Sequence, residues 1–139
     1  MNKEFWDERY ADSDFTYGKE PNVIFKKYLA QIPKGKILFP AEGEGRNAVF
    51  AATLGWDVYA FDISQEGKNK AEKLAKDRGV DINYTITDFE HYIASENFFD
   101  CIALIFTHLP TPIRKASYQH LLQFLKPGGS LIVIGFSKD

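Results

Sequence analysis

The chain of 139 residues carries 17 Lys plus Arg against 19 Asp plus Glu, a net charge of -2, and is 45% hydrophobic and 15% aromatic. That composition fits a single globular domain over residues 1–139 with a real core, excludes a disordered protein, and leaves no basic field to draw in nucleic acid non-specifically. The longest apolar runs, such as Cys101 to Phe106, are too short to span a bilayer, and the lone Cys101 excludes an intramolecular disulfide or a multi-cysteine metal site.

The N-terminus, Met1-Asn2-Lys3-Glu4, has no basic stretch followed by an apolar one, so the chain reads as soluble and cytoplasmic. Pro21 suits the first turn of a helix, and Val23, Ile24, Tyr28, Leu29 and Ile32 repeat at helical spacing until Pro33 and Gly35 break the pattern. Ile37 to Phe39 is a first strand, and Arg46 to Leu54 a helix stopped by Gly55. Val58 to Phe61 is a second strand. Ser64 is a good N-cap for a helix that runs to Arg78, with Gly79 closing it. Ile82 to Ile86 alternates as a third strand, and Cys101 to Phe106 is apolar throughout, as expected of a fourth strand buried on both faces. A helix over Pro112 to Leu125, a turn at Lys126-Pro127-Gly128-Gly129 and a fifth strand over Leu131 to Ile134 complete the series.

Strands alternating with helices predict an α/β fold, a doubly wound Rossmann-like sheet that is mostly parallel. Ligands in such folds bind beyond the carboxyl ends of the strands, so the residues that follow each strand carry the functional expectation.

After the first strand stands Ala41-Glu42-Gly43-Glu44-Gly45-Arg46-Asn47, where two glycines allow a tight turn and a close ligand. The next helix presents free N–H groups to that ligand. Asp62, followed by Ile63, ends the second strand and is placed to accept the hydroxyls of an adenosine ribose. Its side chain is expected to face the cleft and to matter little for folding. Glycines and acid together also satisfy a relaxed dinucleotide pattern. A pyrophosphate would meet Glu42 and Glu44, a repulsion of about 1 kcal/mol or more. S-adenosylmethionine has no phosphate and carries an ammonium and a sulfonium, so the acidic loop suits it better. Thr87-Asp88-Phe89 after the third strand offers an acid for the adenine amino group and a ring for the base. Phe106-Thr107-His108 after the fourth faces the substrate, with His108 a candidate base near neutrality.

These residues resemble the class I S-adenosylmethionine-dependent methyltransferases, most nearly the small bacterial branch of tellurite-resistance and thiopurine methyltransferase-like proteins. The matching pieces are Phe5-Trp6-Asp7-Glu8-Arg9-Tyr10-Ala11, Tyr17-Gly18-x-Glu20-Pro21-Asn22, Ala41 to Asn47, Asp62, Asp88-Phe89 and Leu125-Lys126-Pro127-Gly128-Gly129. The resemblance implies that Ala41 to Gly45 hold the methionyl part, Asp62 the ribose and Asp88-Phe89 the adenine. It implies a lid around Trp6 and Tyr17. The family places an acidic residue where Phe39 stands and often a glycine at Ala41. Its strand order would be 3-2-1-4-5, with a helix and hairpin after the fifth strand that are missing here. That absence leaves Leu131 to Ile134 as an apolar edge and implies self-association. The expected activity is methyl transfer to a small molecule. A nicotinamide enzyme of the same topology, or a cofactor-binding protein without transferase activity, remains an alternative.

Overall fold

The computed structural model describes residues 3–10, 18–107, 109 and 111–135, with backbone alone for Trp6, Arg9 and Tyr10. The strands are β1 (Lys36–Pro40), β2 (Asp57–Asp62), β3 (Asn83–Ile86), β4 (Phe99–Ile105) and β5 (Leu125–Ile134). Every neighbouring pair runs parallel, in the order β3-β2-β1-β4-β5. The helices are α1 (Lys3–Tyr10), α2 (Val23–Leu29), α3 (Arg46–Thr53), α4 (Gln65–Asp77) and α5 (Thr111–Leu122). The doubly wound α/β expectation holds.

Strand alternation divides the core into two layers. Ile37, Phe39, Val58, Ala60, Cys101 and Ala103 face α2, α3 and α4, meeting Phe25, Leu29, Ala48, Ala51 and Ala71. The small alanines on both sides let the helices lie close to the sheet. On the opposite face Leu38, Phe61, Ile102 and Leu104 pack on Leu121 of α5, Phe124 and Tyr92. β4, like β1, is buried on both faces, as its unbroken apolar run requires.

Three local expectations are corrected. Pro21 precedes the cap of α2, and Asn22 is the N-cap, its side chain accepting the Phe25 N–H. The buried stripe of α2 is Phe25 and Leu29, four residues apart, whereas Val23 is 82% exposed and Ile24 and Tyr28 are half out. The Lys126-Pro127-Gly128-Gly129 segment does not end one element before another. It bulges within β5, because Phe99 pairs with Leu125 while Cys101, two residues on, pairs with Ser130. Gly128 takes the positive φ of 79° that this bulge needs.

β1 lies between β2 and β4, so the chain leaves β1 to one side and returns to β4 on the other. The strand order reverses there, and folds of this kind bind their ligands at that point, beyond the carboxyl ends of the strands.

Candidate functional site

The loop after β1 is built on left-handed backbone. Ala41 has φ 52°, Gly43 φ 62° and Gly45 φ 88°. Ala41 thus adopts the conformation for which the resembling family uses glycine, at a cost of about 1–2 kcal/mol. Gly45 is required twice over. A Cβ there would lie 2.5 Å from the Ala71 Cβ and 3.0 Å from its Cα, so α3 and α4 meet across this glycine.

Asp62 holds the loop from β2. Its Oδ2 accepts the Gly43 N–H at 2.9 Å, and its Oδ1 accepts the Ser64 N–H at 3.1 Å. The Glu42 N–H donates to the Phe61 carbonyl at 3.1 Å, and the Tyr84 hydroxyl donates to the Gly43 carbonyl at 2.6 Å. Burial pushes the Asp62 carboxyl above its ordinary range, while the two N–H bonds pull it back. Asp62 therefore faces the loop, and the expectation that folding is indifferent to it is corrected.

The two loop acids go elsewhere than charge reasoning implies. Glu44 is buried and pairs with Lys70 of α4 at 2.9 Å. Half-buried Glu42 turns onto α3, where its Oε2 accepts the Ala48 N–H. Burial pushes the Glu42 carboxyl up to about 8, against the Ala48 hydrogen bond and the charge of Arg46. Its place in the loop thus disfavours the charge on Glu42, and Glu44 is paired with Lys70, so two free carboxylates do not face a pyrophosphate there.

Ser64 caps α4 by accepting the Gly67 N–H, and its hydroxyl donates to Asp7 Oδ1 at 2.6 Å. Asp7 thereby ties α1 beside the end of β2. The Asn22 N–H donates to Asn47 Oδ1 at 2.8 Å and ties the base of α2 to the start of α3. Sequence reasoning assigned neither Asp7 nor Asn47 a role, although both stand inside the quoted motifs. Half-buried Ile63 follows Asp62. The Thr87 N–H donates to the Asp62 carbonyl at 3.1 Å and brings the end of β3 to the same place. Asp88 Oδ1 accepts the His91 N–H, and Phe89 packs edge-on to Phe61 with ring centroids 5.3 Å apart. Phe106 follows β4 at φ 50°, a strained conformation for a bulky residue, with its N–H on the Ile134 carbonyl at 2.7 Å.

The structure therefore brings Ala41 to Gly45, Asp62, Ile63 and Thr87 together in one bonded cluster and carries Asp88, Phe89 and Phe106 on the ends of the flanking strands. The side chain of Trp6, Tyr17 and His108 lie outside the described residues. A second concavity of about 490 Å³ opens beside β3, lined by Tyr59, Asn83, Thr85, Tyr92, Ile93 and Phe98 among others, and reaches Thr87 at its near end.

A parallel sheet whose order reverses beside a glycine loop, locked to an acid at the end of the next strand, defines a Rossmann-like α/β domain. Residues 37–129, from β1 to the bulge of β5, match the family of the methyltransferase domain, and the chain belongs to that family. It is 29% identical over 108 residues to the ubiquinone/menaquinone biosynthesis C-methyltransferase UbiE of Yersinia pestis, covering 74% of this chain and 43% of that protein. The PH0226 protein of Pyrococcus horikoshii superimposes with a TM-score of 0.71 at 25% identity, over 79% of this chain and 52% of that one. A SAM-dependent methyltransferase from Thiobacillus denitrificans, solved with S-adenosyl-L-homocysteine, has the same fold at a TM-score of 0.71 and 19% identity, over 96% of this chain and 55% of that one. The chain thus spans less than half the length of the curated relatives it matches. Among the described residues, no helix is long and apolar enough to cross a membrane.

Proposed function

We propose that this domain binds S-adenosylmethionine and passes its methyl group to a small-molecule nucleophile by direct displacement. The observation that carries this reading is the lock between Asp62 and Gly43, which fixes an acid at the end of β2 against the glycine loop at the point of strand reversal. Membership of the methyltransferase domain family supports it. The loop from Ala41 to Gly45 holds the methionyl part. Asp62 and Ile63 hold the ribose, and Thr87, Asp88 and Phe89 hold the adenine. Phe106 lies against the cofactor, and Trp6 and Tyr17 form a lid. When bound, the cofactor would supply an electrophilic methyl for the nucleophile, with S-adenosylhomocysteine as the leaving group. The protein's part is to align the nucleophile and exclude water. His108 is the candidate to take the nucleophile's proton.

The Trp6, Tyr17 and Ala41-to-Asn47 motifs favour the tellurite-resistance and thiopurine methyltransferase-like branch. The balanced charge favours a small acceptor over nucleic acid, in a soluble cytoplasmic protein of which residues 1–139 form one domain. S-adenosylhomocysteine is expected to raise the melting temperature, because a ligand that binds the folded state stabilises it by mass action. NAD is expected to leave it unchanged. A shift with NAD and none with S-adenosylhomocysteine would instead support the nicotinamide alternative.

Self-association through β5 belongs to the same proposal. At this sheet edge Leu131 is 45% and Val133 59% exposed, on the face opposite Ile132. A second copy covers such an apolar edge by adding its own strand. Val133→Lys puts a charge on that surface without entering the core. Light scattering across a concentration series is expected to show dimers of the parent and monomers of the variant. A parent that stays monomeric at high concentration contradicts the edge contact.

A further inference from the structure

The N-cap of α3 is Gly45, which has no side chain to cap with. Ala48, the third residue of the helix, nevertheless has its N–H satisfied, by the carboxyl of Glu42 three residues before the cap. That N–H is the one a capping Ser or Asp ordinarily takes. In dinucleotide folds the same helix end receives the pyrophosphate. The fold here has the sheet order, the glycines and the acid of a nucleotide site, so something must distinguish this helix end from a phosphate site. Glu44, the other candidate, is taken up by Lys70.

We propose that Glu42 is the positioning and specificity residue of the cofactor loop: its carboxyl closes the N-terminus of α3 from inside, so that the helix end is shut to the phosphates of a dinucleotide while the glycine turn stays shaped for S-adenosylmethionine. The proposal rests on the cofactor assignment made above and adds the residue that enforces it. Exclusion works by occupancy. A phosphate would have to expel the carboxyl and leave it without its N–H partner. Closure also fixes the loop, because the Glu42 backbone is bonded to β2 at Phe61 while its side chain is bonded to α3. One residue thus sets the distance between strand and helix across the glycine turn. The charged groups that face its carboxyl are Arg46 of α3 and Asp62 of β2, which act in opposite directions.

The test is a calorimetric titration of the parent, Glu42→Ala and Glu42→Gln with S-adenosylhomocysteine and, separately, with inorganic pyrophosphate. Glu42→Ala is expected to bind S-adenosylhomocysteine about tenfold more weakly and pyrophosphate about tenfold more tightly than the parent. Glu42→Gln keeps an oxygen for the Ala48 N–H and is expected to recover most of both changes. Parent-like binding of both ligands by Glu42→Ala overturns the proposal. Failure of the parent itself to bind S-adenosylhomocysteine overturns the cofactor assignment instead. Should Glu42→Ala not fold, the pH dependence of melting decides. A carboxyl raised to about 8 by burial stabilises the fold below its ordinary value of 4.5, and that stability is lost as the pH rises toward 8. The unliganded parent is therefore expected to lose melting temperature between those values, and Glu42→Gln to flatten the slope. Equal slopes contradict a carboxyl closed into the loop.

Discussion

Gly45→Ala is expected to destabilise the protein by roughly 2–5 kcal/mol and to abolish cofactor binding at the glycine loop. Two costs add. Left-handed backbone costs a non-glycine residue about 1–2 kcal/mol, and Gly45 sits at φ 88°. Overpacking a filled interior costs about 1–3 kcal/mol more. The added methyl meets both the Cβ and the Cα of Ala71 at 3.0 Å or less, so no flexible side chain can swing aside. α4 must move off α3, carrying with it Lys70 and the cap at Ser64. Gly79→Ala is the control. Gly79 has a φ of 71° but nothing within 4 Å of its added carbon. It pays the backbone cost alone. Urea denaturation of both variants separates the terms, and equal losses at the two glycines would refute the close contact between α3 and α4.

Asp62→Ala is expected to lose affinity for S-adenosylhomocysteine by about 1.5–3 kcal/mol, the worth of a hydrogen bond to a charged group, and to lose stability as well. The stability loss follows from the Gly43 and Ser64 N–H groups, which are left in a buried place without their acceptor. At about 1–3 kcal/mol for each orphaned donor, the fold loses roughly 2–6 kcal/mol. Asp62→Asn keeps one acceptor oxygen and is expected to fall between the parent and Asp62→Ala in stability. Chemical denaturation measures the stability and titration calorimetry the affinity. An Asp62→Ala protein as stable as the parent would mean that the two donors find water, and that the loop is not held from β2.

The parallel sheet and its crossings were legible because the chain alternates apolar strands with capped helices, and Ser64 and Gly79 mark the ends of α4. The glycine loop and Asp62 were legible because they follow strands. What escaped depended on side-chain direction. Glu42 and Glu44 are both acids beside glycines, but the left-handed Gly43 between them sends one to the end of α3 and the other to Lys70. The register of β5 escaped because Lys-Pro-Gly-Gly is turn chemistry whether it joins two elements or bulges from one. α2 was misread because Val23 and Ile24 occupy its exposed first turn, while Phe25 fills the core. α1 gave no sequence signal. Its charged residues offer no apolar stripe, and Asp7 ties it to α4 through the polar contacts with Ser64 and the Glu66 N–H.

The central claim is that S-adenosylmethionine sits over the glycine loop and Asp62. A titration of the isotopically labelled protein with S-adenosylhomocysteine, followed by the backbone amide signals in an NMR spectrum, tests it most directly. The account predicts saturable shifts at Gly43, Gly45, Ser64 and Phe89, with Asn83, Thr85 and Ile93 beside the second concavity unmoved. Saturable shifts confined to Asn83, Thr85 and Ile93, or none at the glycine loop, would contradict it.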